Sequence, residues 1–144
     1  MMNVWSAYHD AGLSLITVVP TAKPNPTYYA LSMYSDYGDT IVSTESNVSR
    51  ISAHASSASR TGKITLVIIN RAFAAQTFGI VFNKNPDGSP HSITLDTGSR
   101  TSRSWTMPAQ GFAVLVYNHN LNLIQSREYD RARSDAGLPL QVTP

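Results

Sequence analysis

The sequence predicts an all-β fold: an antiparallel β-sandwich of about seven to nine strands with one short N-terminal helix. Three observations carry that expectation. From Asp39 onward apolar and polar residues alternate with a period of two, the spacing of a strand with one buried face. The alternating runs recur about every ten residues, with turn-forming residues between them, as in a sandwich or barrel. Charged residues make up only 14% of a chain that is 42% hydrophobic. Ser, Thr, Asn and Gly take their place, a balance of exposed strand faces rather than of Glu- and Lys-rich helices.

The elements follow in order. Residues 13–19 form an apolar stretch that reads as a strand closed by Pro20. A proline-containing connector leads to Asn25-Pro26, where Asn25 caps a helix and Pro26 takes its first position. Leu31, Met33 and Tyr34 continue it with mixed helical spacing, and Gly38 ends it in the left-handed conformation. Strands are then expected over 40–44, 48–55, 63–70, 76–83, 92–96, 102–107 and 112–118. Gly62 and Gly88 stand where the connecting turns need a positive φ, and Pro86 presets its own φ. The most apolar run, 64–69, reads as a central strand buried on both faces. Beyond Asn118 one more strand is expected around 121–125, with 127–137 solvated or weakly helical.

Several function classes are set aside by composition. At 144 residues the chain is long enough for one domain with a sizeable core. Its net charge is +2, and its arginines are scattered until Arg127, Arg131 and Arg133, so nucleic acid is not an expected partner. With no cysteine, neither disulfides nor thiolate metal sites can form. No run approaches the roughly 18 apolar residues that span a bilayer, so no membrane is expected. The first residues lack a charged region followed by an apolar core, so no signal peptide is expected here, and that of an exported parent would lie upstream.

The search for chemistry returns little. A retaining glycosidase needs two carboxyl groups about 5 Å apart. The only glutamates, Glu45 and Glu128, sit at a Ser/Thr-rich strand end and beside Arg127 in the tail. Asp36 and Asp39 flank Tyr37-Gly38 and read as a helix-end turn rather than a calcium loop, which wants more oxygen ligands at close spacing. His9, His54, His91 and His119 never fall within four residues of one another, so a metal would have to gather them from distant strands. No Gly-x-Ser-x-Gly elbow and no phosphate-cradling loop occurs. No catalytic residue, metal or cofactor is therefore expected.

Aromatic residues carry the positive argument, because Trp and Tyr can stack on the C–H faces of sugar rings. Trp105 lies in Ser102-Arg103-Ser104-Trp105-Thr106 and fits two readings, a core plug and a sugar platform. Trp5 and Tyr8 lie near the N-terminus, and Tyr37 lies beside the helix end. These four are the candidate carbohydrate-binding residues.

Residues 28–39, 62–70 and 107–117, read together, resemble the C-terminal β-sandwich that follows the catalytic barrel in retaining glycoside hydrolases of the cellulase-like clan, family 44 and its relatives among them. The resemblance implies a barrel-end remnant and connector over 1–27, a β-sandwich over 28–118 and a C-terminal extension over 119–144. Trp5 and Tyr8 then resemble the end of the last barrel strand. It further implies a noncatalytic accessory domain of a secreted bacterial enzyme, acting outside the cell on β-glucan, xylan or mannan. Its partners would be the parent's barrel and, through any apolar surface left exposed, a second copy. Two other readings stand beside it: a stand-alone module binding β-glucan or xylan, and a small carbohydrate-active enzyme with an unrecognised site.

Overall fold

The structure, a computed structural model, describes residues 16–17, 23–24, 26–88, 90–98 and 103–144. Of the strand expected over 13–19 only β1 (Ile16–Thr17) is described, and the expected cap Asn25 lies outside the described residues. The chain divides into two units, Met1–Ser35 and Asp36–Pro144. In the first, β1 pairs antiparallel with β2 (Lys23–Pro24), and α1 (Pro26–Met33) follows. Pro26 occupies the first helical position, where its missing N–H has no intrahelical partner to lose. The Tyr28 and Tyr29 rings meet edge to face at 5.6 Å, and Ser32 Oγ donates to the Tyr29 carbonyl at 2.8 Å. The helix continues as a 3-10 turn over Tyr34–Asp36.

The second unit is a β sheet curled into a half-barrel. Its strands β3 (Thr40–Ser46), β4 (Ile51–Ser57), β5 (Ile64–Asn70), β6 (Gln76–Lys84), β7 (Pro90–Asp96), β8 (Ser104–Met107) and β9 (Gly111–Tyr117) match the seven expected ones. Two more, β10 (Leu123–Asp130) and β11 (Gln141–Thr143), complete nine, in the order β11-β10-β9-β5-β4-β3-β7-β6-β8.

The all-β class holds, but the sheet is mixed rather than an antiparallel-only sandwich. β3 is the reason. Thr40–Val42 pair antiparallel with Ser57–Ala55 of β4, after which Ser43–Ser46 pair parallel with Ser92–Leu95 of β7. One strand thus belongs to two limbs of the sheet, β11-β10-β9-β5-β4 on one side and β7-β6-β8 on the other.

The limbs curl because each has an apolar face that only the other can cover. Ile64, Leu66 and Ile68 of β5, with Ala113, Leu115 and Tyr117 of β9, form one cluster with Phe78, Ile80, Ile93, Leu95 and Met107 of the second limb. Burying each such aliphatic side chain contributes about 1.5–3 kcal/mol. The opposite face of β5 and β9 is closed as well, with Thr65, Val67, Val114 and Val116 buried. The expected doubly buried central strand is therefore present, and β9 shares its character.

Two local expectations change. Gly38 does not adopt a positive φ; Gly62, Gly88 and Gly137 do. Gly38 instead passes so close to β4 that an added Cβ would lie 2.1 Å from the Ser57 carbonyl oxygen, and its N–H donates to Ser56 Oγ at 2.7 Å. The tail also departs from a solvated segment. Arg127–Asp130 belong to β10, where Ser126 and Tyr129 are buried and Arg127 forms an ion pair with Asp36. Helix α2 (Arg131–Asp135) follows, capped by Asp130 accepting the Arg133 N–H. Arg133 then ties β11 back by donating to the Pro139 carbonyl and Gln141 Oε1, both at 2.9 Å.

Candidate functional site

The sheet's order places three turns at one end: 58–63 between β4 and β5, 85–88 between β6 and β7, and 118–122 between β9 and β10. Two clefts open there, on either side of the third turn.

The smaller cleft, of about 370 Å³, holds Trp105. Trp105 pairs across the ladder with Phe78, while its neighbours Ser104 and Thr106 are exposed. Alternation along β8 turns the indole toward the core side beside Met107. Trp105 is thus half-buried, packed on the core and lining the cleft. A flat platform on the outer face is not what the strand builds. That face carries Thr77 and Thr106 sharing a hydrogen bond at 2.8 Å, and Asn83 donating to Ser92 and Thr94. The indole Nε1–H is shut from solvent and meets no acceptor among the described residues.

The floor beside Trp105 is apolar, made by Ile80, Tyr117 and Leu121. The rim is polar, with Arg103, Ser104 and Asn122. Arg103 is held over the Phe82 ring at 5.4 Å, and Phe82 meets Tyr117 edge to face at 5.0 Å. Burial pushes the Tyr117 phenol up to about 12, with the Arg103 charge pulling the other way. The phenol therefore stays protonated across the physiological range.

The larger cleft, of about 660 Å³, is polar. Lys84 comes from the end of β6 and Asp87 from the turn after it, Ser57 from the end of β4 and Ser59 from the turn after it, and His119 and Asn120 from the β9–β10 turn. Asp39 holds this wall in place: its carboxylate accepts from Ser59 Oγ at 2.5 Å and from the Ser59 N–H at 3.0 Å. These bonds hold the Asp39 carboxyl below its usual range. Gly62 is the other support. With φ +64 it sits where a Cβ would come 3.0 Å from His119 Cβ, so only glycine lets the two turns close up without displacement.

Of the four residues singled out from the sequence, Trp5 and Tyr8 lie outside the described residues. Tyr37 is half-buried and lines neither cleft. Trp105 lines the smaller cleft. Sequence reading missed Lys84 and Asp87, at the β6–β7 connection, and His119, in the β9–β10 turn; the signal available was that alternate connections of antiparallel strands fall at the same end of a sheet. Among the described residues no three His, Asp or Glu side chains stand close enough to hold a metal ion. Among the described residues Asp87 is the carboxylate lining the larger cleft, and none lines the smaller. Glu45 and Glu128 lie on different strands, β3 and β10, and line neither.

No protein-family model matches this chain, and neither a curated protein nor a solved structure was found that is similar to it.

Proposed function

We propose that this chain is a noncatalytic β-rich accessory domain of a secreted, polysaccharide-degrading glycoside hydrolase, and that it contacts carbohydrate at the Trp105 cleft. The sequence resemblance supports the accessory role. The observation that carries the binding role is the cleft itself: a half-buried Trp on an apolar floor, with Arg103, Ser104 and Asn122 around the opening. A sugar ring has apolar C–H faces and polar edges, and this arrangement complements both. Hydrolysis with retention would need a pair of carboxyl groups, and among the described residues none lines the smaller cleft. Ile41 and Phe73, 82% and 80% exposed, are apolar side chains that the parent's barrel or a second copy would cover.

Affinity electrophoresis in gels containing β-glucan, xylan or mannan tests this reading. The chain is expected to be retarded in at least one gel. Trp105→Ala should abolish the retardation and Trp105→Phe, which keeps an aromatic face, should retain part of it. Normal mobility in all three gels, or full retardation of a folded Trp105→Ala variant, would refute the assignment. Release of reducing ends by the purified chain, lost on a single substitution, would instead establish an enzyme.

A further inference from the structure

The turn at 118–122 is a wall common to both clefts. His119 and Asn120 line the larger one, and Leu121, Asn122 and Leu123 line the smaller. We propose that the two clefts are adjacent subsites for one neutral polysaccharide chain that crosses this turn: the Trp105 cleft takes one sugar ring, and the polar cleft holds the hydroxyls of residues further along. The proposal rests on the carbohydrate reading of the Trp105 cleft and extends it from a ring to a chain.

The division of chemistry between the clefts is the first argument. The larger has the volume of a ligand site, roughly 300–1,000 Å³ for small molecules, yet among the described residues no Trp, Tyr or Phe lines it. It offers instead the ammonium of Lys84, the carboxylate of Asp87, the imidazole of His119, the Asn120 amide and two serine hydroxyls. A sugar hydroxyl donates and accepts at once, so it is served by a mixed set of donors and acceptors. Lys84 and Asp87 carry opposite charges that offset each other, which favours a neutral polyol over a polyanion.

Rigidity is the second. Asn118 Oδ1 accepts the N–H groups of both Asn120 and Asn122 at 3.0 Å, and the Leu121 N–H donates to the Asn118 carbonyl at 2.8 Å. Leu121 itself has φ 62, a conformation costly for a branched side chain and kept here by the surrounding bonds. A wall fixed before the ligand arrives lowers the ordering cost of binding. Distance is the third: from His119 to Asn122 the backbone spans at most about 11 Å, so the two sets of side chains border one path.

Calorimetric titration with β-1,4-linked disaccharides and hexasaccharides of glucose, xylose and mannose, paired with mapping of backbone amide resonances, decides the matter. The expected result is a hexasaccharide bound about tenfold or more tightly than its disaccharide. His119→Ala and Asp87→Asn should each remove about tenfold from hexasaccharide affinity and leave the disaccharide unchanged. Amides of 57–62 and 119–120 should move with the hexasaccharide only. Equal affinities for both lengths, with shifts confined to the surroundings of Trp105, would overturn the second subsite while leaving the Trp105 reading intact. Absence of binding at every length would overturn both.

Discussion

The β5–β9 pair and the β6–β7–β8 limb are built from similar alternating strands but are used differently. β5 and β9 run side by side over seven paired residues and are buried on both faces, so they form the spine of the sheet and expose almost no chemistry. The second limb buries one face only. Its outer face is a polar ladder of Thr77, Thr106, Asn83 and Ser92, and the limb carries Trp105 and Lys84 to the clefts. Burial and cleft lining are therefore divided: the spine holds the fold, and the strand ends and turns of the second limb supply Trp105 and Lys84 to the clefts.

That contrast can be broken or sharpened by substitution, beginning with the largest effect. Leu66→Ala and Leu115→Ala, both at fully buried positions of the spine, should each cost about 2–5 kcal/mol in denaturant unfolding. Gly38→Ala should cost about 3 kcal/mol or more, because the new Cβ meets backbone that cannot swing aside. The outer faces of the two limbs give the sharper comparison. Val67→Ala on the spine should lose about 2 kcal/mol, while Thr106→Ala on the second limb should stay within about 0.5 kcal/mol. Equal costs at these two positions would remove the distinction between spine and limb.

Asn70 marks where the spine ends. Fully buried, it donates to the Ala74 and Pro108 carbonyls at 3.0 and 2.8 Å and accepts the Ala72 N–H at 2.9 Å. Asn70→Ala would strand three backbone groups, at a cost of about 2–3 kcal/mol, measured by the same unfolding curves. Gly62→Ala combines a positive φ with the His119 contact and should cost about 1–2 kcal/mol.

The smallest effects are those of pH, and they differ in sign. The Asp39 carboxyl is lowered chiefly by the Ser59 hydroxyl. Its folded pKa lies below the unfolded one, so its stabilisation is complete above the usual carboxylate range and is lost as pH falls through the lowered value. Asp39→Asn should thus be less stable than the parent at neutral pH and equal to it in strong acid. Burial, reinforced by Asp130, raises the Glu128 carboxyl. Its ionisation disfavours the fold once pH rises through the usual range to the raised value, and Glu128→Gln should gain stability at neutral pH but not in acid. Thermal melts of the two variants across pH would show opposite trends; parallel trends would contradict this assignment.

Much of the strand pattern was legible in the sequence because alternation states which face of a strand is buried. Seven strands and the positive φ of Gly62 and Gly88 follow from it. Alternation does not name a strand's neighbours, and so the parallel step from β3 to β7 was hidden. β10 was legible only at its start, in the strand expected around 121–125. A register shift between Leu123 and Gln125 interrupts its pattern, and its inward positions include Ser126 and Glu128 rather than aliphatic residues. The polar cleft was hidden because Lys84 and Asp87 on one side and His119 on the other are far apart in sequence and only the folded sheet brings them together.

The assignment of carbohydrate binding to the Trp105 cleft is tested most directly by following the two tryptophan indole resonances during titration with soluble hexasaccharides. The resonance that Trp105→Phe removes is expected to move saturably with at least one of the sugars. If it stays fixed at every concentration of glucan, xylan and mannan oligomers, the cleft is not a sugar site.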